Sequence, residues 1–283
     1  MARRSTHPQL IKAEGDGLTM TPIRKWALDK YRLISLYSQI FSRSMKNRWD
    51  IRVYSDLYAG SGFSKVKGTD EIYYGSPLLA LGVDDPFDRY IFCERNEASL
   101  GALQQRTKRL FPNADVRFVV GDCNEKVHEV MRWIPSGSKV LCLCLVDPFD
   151  LSIKFSTIKS MASRRMDFLF TLALHMDGNR AAVYYARPSN HKIDHFLGLQ
   201  NWRTGWLEAQ ANRVSFPRFL ADLFSKQMGA IGYLPVAFHQ MKPIRSDLNY
   251  TLYHLALFSK HQLAFDLWDD VLKYGTNQPQ LFD

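Results

Sequence analysis

The chain has 283 residues, 46% of them apolar, enough to bury one large α/β core with an elaboration and short of two full domains. Lys and Arg number 37 against 28 Asp and Glu, a net charge of +9 that favours nucleic acid or another polyanion as partner. No apolar run approaches the roughly 18 residues of a membrane span, and the basic start Met1-Ala2-Arg3-Arg4 is followed by no apolar signal region, so no membrane association is expected and a cytoplasmic protein is.

Residues 1–20 mix basic residues, Pro8, Gly15 and Gly17 and read as a loosely ordered basic tail, leaving 21–283 as the folded domain. Thr21-Pro22 looks like a helix N-cap followed by proline at the first helical position. The apolar spacing after it predicts a helix over 22–46, with Arg24, Lys25, Lys30 and Arg32 on its charged face. A βα alternation follows. Strands are expected at 51–58, 90–93, 116–120, 139–146 and 167–174, with helices at 97–110, 125–133 and 155–162 and one opening at Gly75-Ser76-Pro77. Such alternation implies a parallel sheet with right-handed crossovers. Residues 188–230 read as a helical insert rich in Trp, Arg and Phe, whose faces can stack on bases or fill the insert's own core. Residues 234–242 and 250–259 read as an antiparallel pair at the sheet edge, and 262–273 as a last helix. The fold class is therefore α/β and Rossmann-like: seven strands, mostly parallel, with an antiparallel edge strand, an N-terminal helix and a helical insert.

The four cysteines lack the paired spacing of a zinc site. Cys142 and Cys144 lie two apart in an apolar strand and share a face as small fillers. No metal is expected on that ground.

The first strand runs into Asp56-Leu57-Tyr58-Ala59-Gly60-Ser61-Gly62, small residues that let a ligand lie against the backbone. The second ends at Glu94, where an acid can take two ribose hydroxyls. The third ends at Gly121-Asp122-Cys123-Asn124, where the Asp can accept from an adenine amino group. The fourth ends at Asp147-Pro148-Phe149-Asp150. Ligands of open α/β sheets bind at these carboxyl ends. A third glycine is missing, and Glu94 follows Gly62 by more than the roughly 20 residues of the dinucleotide fingerprint, so a nicotinamide site is not indicated. Lys65, in the basic excursion 64–68, is a candidate cofactor cover or substrate contact. After the fifth strand, His175 is a candidate base and Arg180 a candidate anion clamp.

These loops together resemble class I methyltransferases. The resemblance implies S-adenosylmethionine as cofactor, bound by Asp56, Tyr58, Ala59, Gly60, Gly62, Glu94, Asp122 and Cys123. Asp147, Pro148 and Phe149 would face the acceptor, with Asp150, His175, Arg180 and Lys65 as substrate contacts. The tetrad 147–150 is similar to the Asp/Asn-Pro-Pro-aromatic signature of amino-nitrogen methyltransferases, in which the Asp and the first Pro carbonyl accept from the target amine. Here Phe149 stands for the second Pro and Asp150 for the aromatic residue. A wider set over residues 20–275, from the Trp26 helix through Gly75-Ser76-Pro77-Leu78 to Leu257-Phe258-Ser259-Lys260-His261, is similar to the three-Cys-motif partner family. That family's name implies association with a cysteine-rich, radical-SAM-like partner protein.

Two rivals stand beside a nucleic-acid methyltransferase. One is a non-catalytic module that uses the fold to bind nucleic acid or a partner. The other is a metal-dependent nucleotidyl or hydrolytic enzyme built on Asp147 and Asp150.

Overall fold

The computed structural model describes residues 10–175 and 178–276. In chain order the elements begin with β1 (Lys12–Ala13), β2 (Thr21–Ile23), α1 (Ala27–Met45), β3 (Ile51–Asp56), β4 (Phe63–Val66), β5 (Ile72–Tyr74) and α2 (Ser76–Leu81). Then come β6 (Arg89–Glu94), α3 (Glu97–Leu110), β7 (Val116–Val120), α4 (Cys123–Trp133), β8 (Val140–Val146), α5 (Phe155–Met161) and β9 (Met166–Leu172). The chain continues through α6 (Gly178–Tyr185), α7 (Lys192–Leu197), α8 (Trp202–Ala211) and α9 (Phe216–Ala230) to β10 (Lys242–Arg245), β11 (Thr251–Phe258) and α10 (Gln262–Thr276).

Seven strands form the central sheet in the order β10-β11-β9-β8-β3-β6-β7. The five from β9 to β7 are mutually parallel, and β11 runs antiparallel to both β9 and β10. A sheet that reverses strand order between β3 and β8 and carries one reversed strand next to its edge has the class I methyltransferase arrangement. Every residue of β8 and β9 is buried, as two-sided packing of a parallel sheet demands. Cys142 and Cys144 are fully buried there, and burial pushes both thiols up, Cys142 to about 12. No helix among the described residues is long and apolar enough to cross a membrane.

The N-terminal expectation needs correction. Residues 10–20 are not a loose tail, and Thr21-Pro22 does not cap α1. Lys12–Ala13 and Thr21–Ile23 are strands of a second sheet, ordered β1-β5-β4-β2, which joins them to the hairpin of β4 and β5. Arg106 of α3, fully buried, anchors this segment. It donates to Asp16 at 2.9 and 2.6 Å, to the Thr19 carbonyl at 2.9 Å and to the Ser61 carbonyl at 2.6 Å, and its guanidinium lies 4.2 Å from the centre of the Phe63 ring. A buried guanidinium needs such a set of acceptors, and the strap from Asp16 to Thr19 supplies most of them.

Among the described residues, α7, α8 and α9 bury most of their aromatic residues, partly against one another and partly, through Phe224, against Phe170 and Phe258 of the sheet. Phe196 stacks on Phe224 with centroids 4.8 Å apart, and Trp206 meets Phe216 at 4.9 Å and Phe219 at 5.4 Å. Trp202 and Trp206 are buried, and Arg203 is held by Asp194 at 2.7 Å. The rings of Phe196, Trp202, Trp206, Phe216 and Phe224 are held by packing and are not free to stack on bases. Residues 234–242, expected to be a strand, instead pass through a short 3-10 turn at Phe238–Gln240, and pairing to β11 begins only at Lys242.

Candidate active site

β3 delivers the glycine loop. Asp56, its last residue, is fully buried and accepts from Ser76 Oγ at 2.6 Å and from the Tyr58 amide at 3.0 Å. Burial raises its pKa to about 7, against the lowering effect of those two bonds. Gly60 and Gly62 adopt φ of 63° and 84°. A Cβ on Gly60 would sit 2.9 Å from Thr21 Oγ1, and one on Gly62 would sit 2.8 Å from Leu103 Cδ1. Both positions therefore require glycine for conformation and for space.

The loop edges a cavity of about 900 Å³ at the carboxyl ends of β3, β6, β7 and β8, within the usual range for small-molecule sites. Tyr58, Ala59, Gly60 and Gly62 line it, as do Glu94, Asp122 and Cys123. Asp56 does not; it supports the loop from beneath. Glu94 spans the turn, accepting from the Gly60 amide at 2.9 Å and the Asn96 amide at 2.7 Å. Asp122 caps α4 through the Asn124 amide at 2.8 Å. Both carboxylates thus hold the loops that they end while still facing the cavity. Cys123 is buried, and its thiol is raised to about 11 by desolvation. On the opposite side the cavity is closed by residues 19–24 of the N-terminal segment and by Trp26, Lys30 and Tyr31 of α1.

The far end is built around Asp147. Lys30 Nζ donates to its two carboxylate oxygens at 2.7 and 2.6 Å, and the two side chains are only 10% and 13% exposed. The ammonium lies 5.7 Å from the Tyr31 ring centre and 5.6 Å from that of Tyr253, and the Tyr253 ring meets Trp26 at 5.3 Å. Burial pushes the Tyr253 phenol up to about 12. Pro148 is buried, whereas Phe149 is 74% exposed at the mouth. Asp150 binds Lys192 at 2.6 Å. Arg24, Lys67 and Arg95 also line the cavity, are exposed, and pair with no carboxylate among the described residues.

Lys30 does not belong to the solvated face expected for α1. Its neighbours at helical spacing, Ala27, Leu33 and Ile34, are all buried, and that periodicity was the available signal. Tyr253 shares a strand face with Leu255 and Leu257 and carries no motif, so only the fold reveals it. Lys65 is exposed, pairs with Asp70 at 3.0 Å and does not line the cavity. His175 also lies outside the lining. Its ring packs 5.2 Å from His254, and burial lowers its pKa. The side chain of Arg180 lies outside the described residues.

No protein-family model matches the sequence, and no functionally curated protein does. Solved structures resemble it in part. Trm1 from Pyrococcus horikoshii, in complex with S-adenosyl-L-methionine, is 9% identical over 93% of this chain and 64% of its own, with a TM-score of 0.47. Magnesium protoporphyrin IX methyltransferase from Synechocystis, with bound SAH, is 13% identical over 87% of this chain and 90% of its own, with a TM-score of 0.41. The fold assignment rests on the strand order, which these partial likenesses accompany.

Proposed function

We propose that this chain is an S-adenosylmethionine-dependent methyltransferase acting on nucleic acid in the cytoplasm. The observation that carries the cofactor assignment is the joint position of the glycine loop, Glu94 and Asp122 around one cavity at the reversal point between β3 and β8, where open α/β sheets take their ligands. The residues fit the group. Two positive-φ glycines admit close backbone approach, and in this reading Glu94 and Asp122, which both line the cavity, would take the ribose hydroxyls and the adenine amine. When bound, the cofactor supplies a methyl group on a sulfonium, already activated for transfer. The protein's share of the work is then to orient the acceptor and exclude water.

The acceptor end supports nucleic acid by its chemistry. Phe149 presents a ring at the mouth for stacking. Arg24, Lys67 and Arg95 offer cations to phosphates, and the chain carries a net +9. Asp147 and Asp150 each already hold a lysine ammonium, which disfavours a metal-dependent enzyme at this pair. The similarity to three-Cys-motif partner proteins adds a cysteine-rich partner to this reading, one that would contribute recognition beyond the cavity.

Calorimetric titration with S-adenosylmethionine and S-adenosylhomocysteine, beside Gly60→Arg, tests the reading. Micromolar binding that the variant loses supports it. Absence of binding in folded, ligand-free protein overturns it and leaves a non-catalytic binding module.

A further inference from the structure

The carboxylate that follows β8 is not free. Asp147 is neutralised by Lys30, and the ion pair is nearly buried in the cavity wall. Ion pairs this far from water seldom add net stability over well-packed apolar residues, so their position invites a chemical explanation. We propose that Lys30 determines acceptor specificity: it selects an oxygen nucleophile over an amino nitrogen, and the acceptor is the ribose 2′-hydroxyl of RNA. The inference rests on the methyltransferase reading above.

An ammonium has three N–H donors and no acceptor. Asp147 engages the Lys30 ammonium through both carboxylate oxygens, and the lysine also lines the cavity, so a donor remains for a bound acceptor atom. Attack by an amine places positive charge on nitrogen as the N–C bond forms, and a neighbouring ammonium opposes that charge. A hydroxyl must give up its proton to attack, and the same ammonium stabilises the alkoxide character that this proton loss leaves on oxygen. The pair therefore sorts the two nucleophiles by the sign of the charge that develops. In the step itself, an oxygen lone pair forms the new C–O bond while the C–S bond breaks and its electron pair stays on sulfur. The hydroxyl proton passes to a lone pair of Asp147 that Lys30 does not use, and from there to water. The products are a methyl ether, a neutral thioether and one proton.

Within a polynucleotide, the hydroxyl available at interior positions is the ribose 2′-hydroxyl, which DNA lacks. The exposed Phe149 ring, with Arg24 and Lys67, which pair with no carboxylate among the described residues, suits a base and a phosphate on either side of that sugar. The departure from the amino-methyltransferase tetrad at Phe149 and Asp150 fits the same conclusion.

The test incubates the full chain with methyl-labelled S-adenosylmethionine and total cellular RNA, in parallel with denatured DNA, followed by digestion to nucleosides. The expected result is label in RNA alone, carried by 2′-O-methyl nucleosides and recovered in alkali-resistant dinucleotides. Label on a base nitrogen, or no label in RNA while S-adenosylhomocysteine still binds, overturns the inference; failure of cofactor binding instead overturns the methyltransferase reading. Lys30→Met, which leaves the nearly buried Asp147 carboxylate without its partner, is expected to melt at a lower temperature but still cooperatively and with its affinity for S-adenosylhomocysteine kept, while turnover falls about 100-fold; Lys30→Arg is expected to recover part of both losses. If both variants lose cofactor binding and cooperative melting together, Lys30 is structural and the proposal fails.

Discussion

The fully buried guanidinium of Arg106 holds the carboxylate of Asp16 through two hydrogen bonds of 2.9 and 2.6 Å, across 90 residues of chain. Arg106 also binds the Ser61 carbonyl inside the glycine loop, so one side chain ties the N-terminal strap to the cofactor turn. Asp16→Ala would leave that charge buried without its main partner, a loss of about 3–5 kcal/mol. Adding Arg106→Met to Asp16→Ala is expected to recover part of it, since no charge is then stranded. Urea unfolding of the single and double variants gives the comparison; a double variant weaker than Asp16→Ala would show that Arg106 contributes mainly through its other acceptors.

Stability should respond to pH in opposite directions at two carboxylates. Asp16 is lowered to about 2, chiefly by its hydrogen bonds from Arg106. Its contribution is present above its ordinary value near 4 and is lost as pH falls toward 2. Asp56 is raised to about 7 by burial, so the folded state keeps a proton that the unfolded chain has released. That contribution is full below about pH 4 and disappears as pH rises through about 7. His254, depressed to about 4 by burial and by His175, acts against Asp56 over part of the same window. The Asp56 effect is therefore read as a difference. Asp56→Asn should gain on the wild type steadily from about pH 4 to about pH 8 in urea midpoint. A pH-independent difference would mean that Asp56 titrates normally.

Much of this architecture was legible because parallel strands announce themselves locally. The apolar run of β8 and the acids ending β6 and β7 needed no tertiary information. The second sheet could not be read in this way. Thr21-Pro22 has the composition of a helix start, yet its partners Ser64 and Lys65 lie more than 40 residues downstream, and pairing across that distance overrode the local preference. Tyr253 was hidden for the same reason, whereas Lys30 had a local signal in its apolar helical neighbours but no sign of its partner. Each sits on a buried face with apolar neighbours and becomes part of the site only when α1 and β11 close on Asp147.

Gly62→Ala separates conformational from chemical roles in the loop. The φ of 84° disfavours any side chain, and the new methyl group would press on Leu103 and Leu78, with contacts of 2.8 and 3.2 Å. A loss of about 1–3 kcal/mol is expected from strain and overpacking together. Cofactor affinity should fall as well, because the turn must shift to relieve the contact. Melting of the variant with and without saturating S-adenosylhomocysteine measures both. Unchanged melting would show that the loop accommodates a methyl group and that glycine is not needed there.

Two aromatic residues that look alike in the sequence should behave oppositely. Phe149 is 74% exposed, so Phe149→Ala is expected to change unfolding free energy by less than about 0.5 kcal/mol. If the ring stacks on a base, RNA affinity should weaken by about 1–3 kcal/mol, visible in fluorescence anisotropy with a labelled single strand. Trp206 is buried against Phe216 and Phe219, so Trp206→Ala should cost about 3–5 kcal/mol of stability. In whatever fraction remains folded, its RNA affinity should match the wild type. A Phe149→Ala protein that binds RNA normally would remove the stacking role from the cavity mouth and leave recognition to the cations around it.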